Sequence, residues 1–201
     1  PTRAGARTLG VSCHRRHTLP RPRALLCCRA VPRLVTLPSE GRLIVATDLQ
    51  GHVEDFLALE AIFEAEAARP EGAVLVVTGD LVHGPELSQS DWPGHLGSYY
   101  RGDSVTLLER AEALSKRHPG RVHYLLGNHE HAHIGGPVVS KFFPDEAARL
   151  EHLLGPERSV WLRDWLLDWP IVAVAKRAGI AMTHGAPHAV LESADDIEAL
   201  P

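Results

Sequence analysis

The chain has 201 residues, 44% hydrophobic and 23% charged, with a formal net charge of -4. That length suits one globular domain with a buried core, and no apolar run approaches the roughly 20 residues that span a bilayer as a helix. Residues 1–42 hold nine arginines and one acid, Glu40, so the rest of the chain is strongly acidic and argues against a nucleic-acid partner.

The basic segment also carries all three cysteines, Cys13, Cys27 and Cys28. None remains to build a disulfide framework in the body, which points to a reducing, cytoplasmic setting. The apolar stretch at 24–28 is too short, and too closely flanked by arginine, for a secretory leader. Residues 1–40 are read as a disordered basic extension, a processed leader or sequence upstream of a domain covering 41–201. A basic arm for an acidic partner is a further reading.

Regular structure is expected from Arg42. RLIVAT (42–47) is a continuous apolar run that suits a buried strand. DLQGH follows as a loop, and residues 53–68 place apolar side chains at helical spacing, ending before Arg69-Pro70. AVLVVT (73–78) is a second buried strand and GDLVHGP a second loop. Residues 85–103 are rich in Gly, Pro, Ser and Tyr and form a long surface excursion, a length that is uncommon without a function. A helix follows over 104–118, capped by Ser104, then a third strand over 121–126. Helical stretches are expected near 145–154 and 160–167. IVAVAK and GIAMT form a strand pair around a turn at Ala178-Gly179, and Ser193 caps a last helix. Alternating strands and helices predict a layered α/β fold with a mainly parallel sheet.

Ligands of such sheets collect at the carboxyl ends of the strands. Four apolar strands here end in polar clusters: Asp48 and Gln50, Asp80 and His83, Asn128 and His129, and His184. Taken singly, each has a plain structural explanation. The aspartates can cap helices, Asn128 can serve a turn, and His129, His131 and His133 can form a solvated loop. Taken together, they supply the carboxylate, amide and imidazole donors that borderline divalent metals accept. A central aspartate can bridge two ions that clamp a displacement at phosphorus.

GD at 79–80, GNHE at 127–130 and THG at 183–185 resemble, in this order, the calcineurin-like metallophosphoesterases. The spacing is most similar to their Ser/Thr protein phosphatase branch, over residues 42–201. The resemblance implies an α/β/β/α sandwich, here truncated at its C-terminus. It implies two divalent ions, manganese foremost, with iron, zinc and magnesium as alternatives. Asp48, Gln50 and bridging Asp80 would hold the first ion, and Asn128 and His184 the second. His129 would be the general acid, supported by Glu130. The implied reaction is hydrolysis of a phosphomonoester, on a phosphorylated protein or a small phosphoester, by attack of a metal-held hydroxide. Dinucleoside polyphosphates and cyclic nucleotides are alternative substrates of the same fold. A non-catalytic phospho-ligand binder is the competing class.

The chain departs from the family pattern at named positions. Gln50 replaces a histidine, which favours harder ions such as manganese or magnesium; His52 is a nearby substitute. His83 stands where the family has the aspartate that orients the catalytic histidine. Gly84 stands where it has a phosphate-clamping arginine, so Arg101 in YYRGDS is the candidate replacement in the catalytic group. A further histidine ligand would lie beyond Pro201, and His188 is a weak substitute.

Overall fold

The computed structural model describes residues 33–186 and 193–200. The basic segment up to residue 32, and His188, lie outside the described residues.

Strand β3 (Ala73–Val77) organises the molecule. All five of its residues are buried, and it lies between β2 (Arg42–Ala46) and β4 (Val122–Tyr124) in a parallel sheet. Side chains alternate across a strand, so β3 feeds two cores. Leu75 and Val77 pack against the helices α1 (Val53–Ala67), α2 (Ser104–Arg117) and, beyond the one-turn α3 (Asn128–His131), α4 (Glu146–Leu167), through Phe56, Phe63, Leu107, Leu114 and Leu162. Val74 and Val76 meet Leu125, Ala173 and Met182 on the opposite side.

That opposite side is a second sheet, ordered β1 (Leu34–Thr36), β5 (Val172–Ala175) and β6 (Ile180–Thr183). β1 and β5 are parallel, whereas β5 and β6 form an antiparallel pair whose turn ends at Gly179 with φ 67°. The outer helix on this side is the short α5 (Ala194–Glu198). Its Glu198 carboxylate accepts hydrogen bonds from the Arg33 and Leu34 N–H groups. The expected layering of helix, sheet, sheet and helix is therefore present, with a slight fourth layer among the described residues.

Four local features differ from the sequence reading. A strand lies inside the segment assigned to the extension, because Leu34-Val35-Thr36 pairs with β5. β2 is not buried: it is an edge strand, with Val45 49% exposed. Helix α2 is capped by Asp103, which accepts from Thr106 N–H, and not by Ser104. The two expected helices near 145–167 run on as α4, broken at Gly155 (φ 76°) and restarted by Pro156. Proline favours the first turn of a helix, so the second part starts there and not at residue 160. Ser193 caps α5, accepting from Asp196 N–H as expected.

Candidate metal centre

The loops after β2 and β3 lie side by side. Asp48 N–H donates to Gly79 O, Gln50 N–H to Asp80 O and Gly51 N–H to Leu81 O. Asp48, Gln50, Asp80 and His83 all have positive φ, and among the described residues they are the non-glycine residues that do. Such backbone conformations are unfavourable and concentrate at functional sites. The glycines of the two motifs let a third loop close on this pair. A Cβ on Gly79 would lie 2.7 Å from the Gly127 Cα, and one on Gly127 would lie 2.5 Å from the Asp80 N.

Asp80, Asn128 and His184 meet in this contact. His184 Nε2 lies 2.9 Å from Asn128 Oδ1 and 3.3 Å from Asp80 Oδ1. The other ring nitrogen, Nδ1, is 2.9 Å from the carbonyl of Thr78, which can only accept. In the neutral ring the proton is therefore on Nδ1, and Nε2 presents a lone pair. Three acceptors then face one another, an arrangement that a cation between them relieves. The donor set fits a divalent metal by that test. Asp48 is exposed, and its carboxylate accepts from the Thr47 hydroxyl.

Glu130 is fully buried behind this group. Its carboxylate accepts from the N–H groups of Asp80 (2.9 Å), Leu81 (2.8 Å), Val82 (3.2 Å) and Gly127 (3.1 Å). It ties the GD loop to the GNHE turn. Burial, then the Asp80 charge, pushes its carboxyl up to about 7 against the opposing pull of these donors.

His129 heads a buried chain of imidazoles. Its Nε2 is 3.6 Å from Asp80 Oδ2, and its Nδ1 is 3.1 Å from His83 Nδ1 and 3.3 Å from Glu146 Oε2. His83 Nε2 lies 2.9 Å from His133 Nε2, and His133 Nδ1 lies 3.1 Å from Glu151 Oε1. Burial holds His83 at about 2, helped by the neighbouring His133 and His129, and burial also lowers His129 and His133. Of the three histidines of the expected solvated loop, one is exposed and two are buried. His131 is exposed, but His133 is 6% exposed and bonded at both nitrogens.

The substitute residues proposed from the sequence fare unevenly. His52 Nδ1 caps α1 by accepting from Asp55 N–H, so that nitrogen is committed elsewhere. Gln50 is buried, and its Oε1 accepts from the Lys141 ammonium at 2.8 Å. Arg101 is exposed and lines a cavity of about 540 Å³ that also reaches His83, Glu146 and Ser104. The Ser104 hydroxyl, freed from capping, accepts from His83 N–H.

Gly84 cannot have lost an arginine without rearrangement. A Cβ there would stand 2.0 Å from the Gln50 carbonyl oxygen and 2.8 Å from the Gly102 Cα. Gly84→Arg is therefore expected to destabilise the fold by about 3 kcal/mol or more through overpacking of backbone on backbone. A lowered midpoint in urea unfolding checks this, and a variant of parental stability would contradict it.

Sequence reasoning missed Lys141, Glu146 and Glu151, and the buried place of His133 in the imidazole chain. One signal was present: His129 and His133 are four residues apart, a spacing that places both on one helix face. Lys141 and Glu146 arrive from a distant stretch, and their directions are set by tertiary packing.

A family model described as calcineurin-like phosphoesterase matches residues 41–201. A search of curated proteins finds no match. Among solved structures, a protein assigned as a diadenosine tetraphosphatase shares 20% identity at a TM-score of 0.44, over 76% of this chain and 54% of that one. A protein serine/threonine phosphatase from Saccharomyces cerevisiae, with similarity to human phosphatase PP5, shares 17% identity at a TM-score of 0.46. That match covers 71% of this chain and 38% of the other. A metallophosphoesterase from Sphaerobacter thermophilus shares 18% identity at a TM-score of 0.36, over 67% and 43%. The chain thus spans about half the length, or less, of these three proteins.

Proposed function

We propose, on the premise that this chain belongs to the calcineurin-like phosphoesterase family, that it is a metal-dependent hydrolase of phosphomonoesters, with phosphorylated serine or threonine in proteins as its substrate class. The observation that carries the proposal is the meeting of Asp80, Asn128 and His184 as three facing acceptors, with His129 against the same aspartate.

Asp48 and Gln50, with Asp80, would hold a first divalent cation, manganese foremost, and Asp80, Asn128 and His184 a second. Bound there, the cations would neutralise charge at phosphorus and make a water more acidic. His129 presents Nε2 toward Asp80 and delivers a proton to the departing oxygen. Glu130 fixes the loop that carries Asp80. Lys141 and Arg101 provide the positive charge that Gly84 does not, Lys141 beside Gln50 and Arg101 across the cavity. No helix among the described residues is long and apolar enough to cross a membrane.

Hydrolysis of p-nitrophenyl phosphate is the test. Activity is expected to appear on adding manganese to metal-stripped protein and to vanish on chelation. No hydrolysis with manganese, magnesium, zinc or iron would reject the reading. A panel of phosphopeptide, dinucleoside polyphosphate and cyclic nucleotide then distinguishes substrate classes. The second reading, a phospho-ligand binder without turnover, is favoured by the Lys141 ammonium on Gln50 Oε1, where the first cation would sit. Phosphopeptide binding without phosphate release under any of the four metals would support it.

A further inference from the structure

The imidazole chain behind His129 ends in an arrangement that catalysis does not explain. Glu146 is 2% exposed, at the start of α4. Its Oε1 accepts from Phe142 N–H at 2.7 Å, but its Oε2 is buried with no hydrogen-bond partner. A buried carboxylate oxygen without a partner is costly. This one lies 3.3 Å from His129 Nδ1 and 3.7 Å from His83 Nδ1, and the two nitrogens are 3.1 Å apart.

Tracing the protons along the chain shows what these atoms offer. Glu151 accepts, so His133 Nδ1 carries a proton and His133 Nε2 a lone pair. His83 Nε2 therefore donates to His133, and His83 Nδ1 is left with a lone pair pointing at His129 and Glu146. Tetrahedral zinc with bonds near 2.0–2.1 Å sets its ligand atoms about 3.3–3.4 Å from one another. The triangle of 3.1, 3.3 and 3.7 Å has that size. Two histidines and a glutamate with an open fourth position form a recurrent zinc donor set. The outer partners are in place too, since His83 is held by His133 and Glu151, and Glu146 by Phe142 N–H. His83 and Glu146 line the 540 Å³ cavity, which gives an ion a route in and a fourth ligand room.

We infer that His83, His129 and Glu146 form a zinc-type metal site of their own, set behind the Asp80–Asn128–His184 group and joined to it through the His129 ring. Zinc bound here would share the His129 ring, whose Nε2 faces Asp80.

Cobalt in place of zinc makes the site visible, because four-coordinate cobalt(II) absorbs in the visible range far more strongly than six-coordinate cobalt(II). Cobalt titration of the metal-stripped chain is expected to give the four-coordinate bands, and zinc to displace them. His83→Gln and Glu146→Gln should each weaken this binding by roughly 10–100-fold or more. His184→Ala, which removes the other candidate cation group and leaves the triangle whole, should keep the bands. Loss of the bands in His184→Ala, their retention in both triangle variants, or their absence from the parent would each overturn the inference. Because the bands report binding alone, an enzyme inactive with manganese would reject the phosphoesterase reading and leave this one standing. Should both triangle variants unfold by circular dichroism, the parent and His184→Ala spectra still decide.

Discussion

Asp80→Asn is expected to reduce manganese-supported hydrolysis by about 10³-fold while leaving the fold intact. Asparagine has the same shape and tolerates the positive φ of 54° at this position. It keeps an oxygen for His129 N–H, which lies 3.3 Å from Asp80 Oδ1. What it removes is the charge facing both His184 and His129. Charge stabilisation by metals and oriented groups at a reacting phosphorus contributes several kcal/mol, which is a factor of this size. The stability of the variant should match or slightly exceed the parent, because the Asp80 charge opposes ionisation of Glu130. Steady-state kinetics and a thermal melt check both halves. A variant with more than a tenth of parental kcat would remove Asp80 from the centre of the mechanism.

Glu130→Ala should do the opposite, and damage the structure first. Four backbone N–H groups lose their acceptor at once, in a place water does not reach. Leaving buried donors unsatisfied costs about 1–3 kcal/mol each, and breaking a buried ionic network typically costs about 3–5 kcal/mol in all. We expect a loss of about 3–5 kcal/mol in urea unfolding, seen as a lower midpoint at unchanged slope. Glu130→Gln keeps one accepting oxygen and should lose less. A loss under about 1 kcal/mol for the alanine variant would show that the loops hold their shape without this anchor.

These expectations mark where the sequence was legible. Runs such as Ala73–Val77 announce themselves as strands, and the polar residue that follows each run has nowhere to go but the carboxyl edge. The meeting of Asp80, Asn128 and His184 could be read from that pattern. β1 could not, because Leu34-Val35-Thr36 is three residues long and its partner β5 is far along the chain. The exposure of β2 was hidden for a related reason: an apolar run does not say whether its neighbour lies on one side or both. Glu130, read as a support for His129, spends both carboxylate oxygens on backbone N–H groups of the GD loop and of Gly127, partners that its place in the sequence does not announce. Glu146 and Lys141 reach the site by tertiary packing, which leaves no local trace.

The neck of the long excursion has a consequence for how this molecule can diversify. Gly84 and Gly102 press together, Gly102 N–H donates to Pro85 O, and Asp103 N–H donates to Gly51 O. The segment therefore leaves and rejoins the body at one clasp, beside the donor groups. Beyond the clasp, its tip can lengthen or change composition at small entropic cost without moving the residues beneath. Selection can retune what docks over the centre while the centre itself stays fixed, and the two glycines are what keep those histories separate.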